Sequence, residues 1–425
     1  MEHGIEESRN RLFFYLLSSL LSPLVRILVW YRVSKGLEER NRVRERYGYA
    51  SIVRPTGSLV WVHAASVGET VSIVPLIKAY KNTYPDQTIL LTTTTITART
   101  IAQQRLTGFC IHQFVPFDVG PWVDRFLNHW KPSLSVFVES ELWPNLIQRT
   151  YRRKIPLILL NARLSDKSYK RWLRFPFMAK YLLTRFNLCL AQSPTTAERL
   201  KNLGASNVKT MANLKFAAEG LPYDDQKFEK LKRLFQGRPL WVATSTHAGE
   251  EEIVLKVHQR LQKEFPNLLT ILVPRHPLRI DKVEKMCEDL QLSSVRHSTF
   301  NEQSDFQIYL GDTIGELGLF FALSRIVLMG GSFVPIGGHN PIEPAISGCA
   351  VLWGPYMHNF KDVCQVLGES CYSVDTPEKL EETLKHFLQN PDKVLSIGEG
   401  AAAIVKKQAE SVQDTAATLR AHYED

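Results

Sequence analysis

At 425 residues the chain exceeds one ordinary domain and fits two of roughly 150–200 residues with extensions. Its 44% hydrophobic and 22% charged residues are those of a globular protein with ample core, not of a disordered or fibrous chain. A net charge of +9 points to anionic partners: nucleic acid, a membrane surface or phosphorylated substrates. Six scattered cysteines with no C-x-x-C pair speak against a disulfide scaffold and for reduced thiols. No zinc spacing occurs among the twelve histidines, and neither a P-loop nor a dinucleotide G-x-G-x-x-G is present.

Residues 12–31, LFFYLLSSLLSPLVRILVWY, are the most apolar stretch, interrupted only by Pro23 and Arg26. Twenty helical residues rise about 30 Å, the thickness of a bilayer core. The basic run Arg32, Lys35, Arg40, Arg42, Arg44 and Arg46 follows, which by the positive-inside rule places the rest of the chain in the cytoplasm. Residues 1–48 are thus read as a membrane anchor with a basic juxtamembrane segment, either spanning the bilayer or lying in its interface.

From residue 59 apolar strands alternate with helical patterns. Strand segments fall at 59–65, 88–95, 111–116, 134–139, 157–161, 188–192 and 208–212. After a polar stretch a second series follows at 240–245, 268–274, 306–310, 326–330, 350–354 and 371–374. Continuous apolar strands alternating with helices indicate parallel sheets covered on both faces. The expected fold is α/β, with two Rossmann-like domains, 49–215 and 239–400, a linker at 216–238 and a cleft between the domains. A C-terminal helix at 401–425 is expected to pack back on the first domain.

Residues 166–185 form a basic insertion in which Lys167, Lys170, Arg171, Arg174, Lys180 and Arg185 are interleaved with aromatics. Arg149, Arg152, Arg153 and Lys154 add a second basic cluster. Such surfaces suit anionic lipid or a phosphorylated amphiphile. No helix-turn-helix, RRM or OB signature supports nucleic acid.

Chemistry-bearing residues gather at strand ends, where open parallel sheets bind ligands. LVWVHAASVGE at 59–69 reads as strand, small-residue turn and helix start, with Glu69 in the first helical turn. Glu69 there is either a catalyst or a complement to the helix dipole, and the dipole favours its ionised form. The strand at 134–138 ends in Glu139-Ser140-Glu141, whose carboxylates serve as acid–base groups or cap a helix starting near Leu142. In the second domain Arg275 and His276 leave a strand, and Arg275 suits phosphate or carboxylate. Ile314-Gly315-Glu316 and Asn340-Pro341-Ile342-Glu343 occupy similar turns, the latter after a glycine-rich loop. That helix start can hold phosphate, and Glu343 can accept from ribose hydroxyls.

Seven pieces carry a family resemblance: H-A-A-S-V-G-E at 63–69, E-S-E-L-W-P-N at 139–145, N-A-R-L-S at 161–165, N-L-K at 213–215, P-R-H-P at 274–277, the D-T-I-G-E-L segment, and G-G-H-N-P-I-E-P at 337–344. Together they resemble the 3-deoxy-D-manno-octulosonic acid (Kdo) transferases of lipopolysaccharide synthesis, which have the two-domain GT-B fold. The resemblance implies CMP-Kdo as donor, a lipid A precursor as acceptor, inverting transfer, no cofactor and no metal. It further implies that Glu69 is the general base, that Glu139 and Lys215 stabilise the transition state, and that Arg275, His276, Ile314, Gly315, Glu316, Asn340, Pro341, Ile342 and Glu343 bind CMP. Absence of D-x-D agrees with metal-free chemistry. The expected location is the cytoplasmic side of the inner membrane. A sugar-nucleotide epimerase of similar architecture is the alternative, and a non-catalytic lipid or nucleic-acid binder is a third reading.

Overall fold

The computed structural model describes residues 22–300 and 305–424. The alternating strands form two all-parallel sheets in two compact units, Met1–Ala217 with Ala409–Asp425, and Ala218–Gln408. Seven strands make the first sheet: β1 Leu59–His63, β2 Thr88–Thr93, β3 Ile111–Phe114, β4 Leu134–Val138, β5 Leu157–Ala162, β6 Leu188–Ala191 and β7 Val208–Thr210. Their order is β3-β2-β1-β4-β5-β6-β7. Successive residues of a strand point to opposite faces, so a doubly covered sheet needs both sets apolar. Accordingly Leu59 and Trp61 join one core, whereas Val60 and Val62 join the other. Val412, Ala416 and Leu419, from the end of helix Pro391–Glu424, complete the second of these cores.

The second sheet comprises β8 Leu240–Thr246, β9 Leu269–Pro274, β10 Ser294–Arg296, β11 Ile308–Leu310, β12 Ile326–Met329, β13 Ala350–Trp353 and β14 Cys371–Ser373. Its order is β10-β11-β9-β8-β12-β13-β14. Every expected strand segment is present, and β10 is additional. Three half-buried residues at a sheet edge carry no apolar run by which to be found.

Among the described residues no helix is long and apolar enough to cross a membrane. The apolar stretch contributes the 13-residue helix Ser22–Ser34, and residues 12–21 lie outside the described part. That helix exposes Leu24, Ile27, Leu28, Trp30 and Tyr31. The basic run behind it differs from the expected juxtamembrane surface, because half of it is engaged inside the fold. Arg32 and Arg46 both pair with Glu38 at 2.8 Å, and Arg42 pairs with Glu45 at 2.8 Å. Glu45 also accepts from Phe114 N of β3 at 2.7 Å, while Arg46 donates to the Val115 and Thr94 carbonyls. These bonds staple the 3-10 helix Arg40–Tyr47 to the sheet. The Arg149 cluster is likewise paired internally, since Arg149 and Arg153 share Asp124.

Glu38 and Arg46 are both almost fully buried, and removing one member of a buried pair leaves an uncompensated charge. Arg46→Ala should therefore lose about 3 kcal/mol or more in urea unfolding. Arg40→Ala, at an exposed position of the same run, should leave the midpoint in place.

Candidate active site

The carboxyl edge of the first sheet brings together Glu69, Glu139, Glu141 and Lys215. Ser66 caps helix Val67–Thr83, its Oγ accepting from Glu69 N at 3.3 Å. The Glu69 carboxylate turns back, accepting from Ala65 N and Ser66 Oγ, each at 2.8 Å. This variant of the capping box holds the side chain in one place and leaves it only 8% exposed. Burial first, then the charge of Glu141, pushes its pKa up to about 7; the Ser66 bond opposes this, the Glu139 charge adds to it and the Ala65 N–H opposes it. The expectation that the helix start keeps Glu69 firmly ionised is thus overturned. Desolvation and two neighbouring carboxylates outweigh the two local hydrogen bonds.

Glu141 is the ionised neighbour. Burial raises its pKa, but bonding to buried His63 and Trp143 outweighs that and holds it below the usual carboxylate value. His63 Nε2 lies 3.4 Å from Glu141 Oε2, while its Nδ1 lies 3.0 Å from Thr92 Oγ1 on β2. Neither Ser140 nor Glu141 caps the following helix, contrary to one expectation. That helix is Pro144–Arg152, and its first amides, Asn145 N and Leu146 N, donate to half-buried Asp118 at 3.0 and 2.7 Å.

Glu139 stands immediately after β4 with φ of 59°, a left-handed backbone that costs a side-chain-bearing residue about 1–2 kcal/mol. Its Oε1 lies 3.9 Å from Lys215 Nζ. Asn161, also left-handed at φ 53°, receives Leu214 N on its Oδ1 at 3.1 Å and so anchors the turn Leu214–Ala217 that carries Lys215. Two strained residues at neighbouring strand ends are what functional sites tend to retain. Beside them a cavity of about 210 Å³ is lined by Glu139, Glu141, Trp143, Arg163, Arg171 and Trp172 among others.

In the second unit the expected donor-binding residues also collect at the carboxyl edge. Arg275 and His276 follow β9 and are exposed. Ile314 is 89% exposed, and Gly315 has φ of +92° with open space beside it. Glu316 accepts from Lys227 Nζ at 2.6 Å and faces His297 at 3.9 Å. Asn340 receives Ile342 N at 3.2 Å and donates to Glu343 at 3.3 Å. Pro341 and Ile342 are buried, so Ile342 belongs to the core by its side chain.

Three residues the motif reading left unassigned complete this edge. Glu250, in the first turn after β8, accepts from His247 N, Gly331 N, Ser332 N and Phe333 N at 2.7 to 2.9 Å. The protein's own carboxylate thus fills the first part of the glycine-rich loop. His247 and His339 face each other with Nε2 atoms 2.8 Å apart. Their signal was available, since STHAGEE leaves a strand as HAASVGE does.

Two all-parallel sheets with ligand-type turns at the strand ends define a protein of the GT-B class. The UDP-GlcNAc 2-epimerase from Neisseria meningitidis shares this fold, with a TM-score of 0.57 over 84% of this chain and 99% of that one, at 12% identity. The family described as 3-Deoxy-D-manno-octulosonic-acid transferase (kdotransferase) matches residues 41–218. The 3-deoxy-D-manno-octulosonic acid transferase of Haemophilus influenzae is 32% identical over 97% of this chain and 99% of its own length. A probable mitochondrial counterpart from Arabidopsis thaliana is 36% identical over 88% of this chain and 86% of its own. The chain belongs to the 3-deoxy-D-manno-octulosonic acid transferase family of glycosyltransferases.

The Glu69 environment has a stability signature. Its pKa rises from the ordinary 4.5 to about 7 in the fold, so the fold favours the protonated form. That stabilisation is fully present below pH 4.5 and is lost as pH rises through 7. The shift corresponds to about 3 kcal/mol. Glu69→Gln should accordingly match the parent near pH 4 and exceed it by about 1–3 kcal/mol at pH 8 in urea unfolding.

Proposed function

We propose that the protein transfers Kdo from CMP-Kdo to a hydroxyl of a lipid A precursor, with inversion and without cofactor or metal. The observation that carries the mechanism is Glu69, a held and buried carboxyl with a pKa of about 7. A general base works best when its pKa lies near the operating pH, and Glu69 is then ionised in about half the molecules at neutrality. It takes the acceptor hydroxyl's proton as the new bond forms. Lys215, with Glu139 beside it, meets negative charge developing in the transition state. Arg275, His276, the Ile314–Glu316 turn and the Asn340–Glu343 turn hold CMP. Lys227 on Glu316 marks where a ribose hydroxyl would compete for the carboxylate.

Attachment to the cytoplasmic face of the inner membrane belongs to the same reading. The exposed apolar residues of helix Ser22–Ser34 support it. So does the basic insertion, which forms two helices, Asp166–Leu173 and Pro176–Leu183, and exposes Leu173, Phe175 and Phe177 beside Lys167, Lys170, Arg171 and Arg174. Apolar side chains next to exposed cations suit a bilayer rich in anionic lipid.

Purified protein given CMP-Kdo and lipid A precursor in mixed micelles should release CMP and form glycosylated product together. Conversion of CMP-Kdo without acceptor would instead favour an epimerase. Glu69→Gln should lower turnover by about 10²–10⁴-fold with CMP binding unchanged. In the parent enzyme kcat/KM should rise with pH and flatten above about 7, the value at which Glu69 titrates.

A further inference from the structure

His247 follows β8, and His339 lies in the loop beyond β12. Their ring planes are 2° apart, their centroids 5.2 Å apart and their Nε2 atoms 2.8 Å apart. With those values the rings lie end to end in one plane, joined by an Nε2–H···Nε2 hydrogen bond. That axis holds one proton: two bare nitrogens would repel there, and two N–H groups would collide. When both rings are neutral, one Nδ1 therefore carries hydrogen and the other is bare. Among the described residues neither Nδ1 has a hydrogen-bond partner. The neutral pair thus keeps one Nδ1 donor and one Nδ1 acceptor without a partner among the described residues, and one further proton would make it a cation with two donors.

The charged and titratable groups facing the pair are Glu250, Arg275, His276 and Arg279. Glu250 is saturated by four backbone N–H groups, and Arg279 is paired with Glu251 at 3.2 Å. Arg275 has no ion pair among the described residues. Burial, with His276, Arg275 and Arg279 and against the opposing charge of Glu250, holds His247 below its usual value; burial, then His247, Arg275 and His276, brings His339 down to about 4. With both values lowered, the pair is neutral at pH 7.

We propose that the His247–His339 pair is an anion-responsive element of the nucleotide site, taking one proton from water when the phosphate of CMP binds. This rests on reading the second unit's edge as the CMP site. The phosphodiester of a nucleotide sugar carries one negative charge, whereas released CMP carries close to two at neutral pH, its second ionisation lying near about 6. The protonated pair therefore favours the product side of the transfer. There the bond from anomeric carbon to phosphate oxygen breaks with its electron pair left on CMP, the acceptor oxygen bonds to that carbon, and the acceptor's proton goes to Glu69. The pair compensates charge and orients the phosphate; it does not replace the base.

The test is calorimetric titration of the protein with CMP at pH 7 in buffers of different ionisation enthalpy. Wild type should take up about half a proton or more per CMP bound. The CMP phosphate can only release protons on entering a cationic site, so net uptake does not come from it, and the two variants assign the uptake to the pair. His247→Gln and His339→Gln should bind CMP with that uptake abolished, and cytidine should bind without uptake. In wild-type protein with ¹⁵N-labelled histidine, CMP should move the bare Nδ1 of the pair to a protonated shift, one positive charge being shared by the two rings, which decides the matter if a variant no longer binds. CMP binding without uptake, uptake retained in both variants, or neutral ring shifts in the saturated complex would overturn the proposal alone. Absence of CMP binding in wild type would overturn the nucleotide reading and the proposal with it.

Discussion

Three carboxylates crowd the carboxyl edge of one parallel sheet, and the proposed chemistry depends on how their charges are accommodated. Glu69 and Glu141 cannot both be comfortably ionised in a buried setting, and the surrounding residues decide which one yields. Glu141 keeps its charge because His63 and Trp143 bond to it. Glu139 has Lys215 within reach, on a turn that Asn161 anchors. Glu69 has only a hydroxyl and one backbone N–H, too little to offset its burial. The proton therefore resides on Glu69 up to about pH 7, at a cost of about 3 kcal/mol to the fold once it leaves.

The second unit shows what the same position becomes when the carboxylate is satisfied. Glu250, like Glu69, sits in the first helical turn after a strand of its sheet and closes back on the preceding loop. Four backbone N–H groups converge on Glu250, against one on Glu69. The Glu250 carboxylate shapes the Gly331–Phe333 loop and fixes the backbone of His247.

Much of this was legible in the chain. Apolar strands such as Leu157–Leu160 announce a doubly covered parallel sheet, and the strand-end motifs place Glu69, Glu139, Arg275 and Asn340 at the edges where ligands bind. Three things were not legible, each for a physical reason. Ser294–Arg296 pairs at a sheet edge with no apolar run to reveal it. Arg42, Arg46 and Arg149 look like free surface charge in sequence, because the acids that neutralise them, Glu45, Glu38 and Asp124, show as partners only in the folded chain. The pKa of Glu69 was misread because the helix dipole is a local feature visible in sequence, whereas burial and the charges of Glu141 and Glu139 come from tertiary packing.

The central claim is that Glu69 titrates near neutrality because the fold buries it and sets the charges of Glu141 and Glu139 beside it. It is tested most directly by following the ¹³C shift of the Glu69 carboxyl with pH, in the parent protein and in Glu141→Gln. The account gives a midpoint of about 7 in the parent and a clearly lower one once the Glu141 charge is gone. A parent midpoint near the ordinary 4.5, or one that does not move in Glu141→Gln, would contradict it.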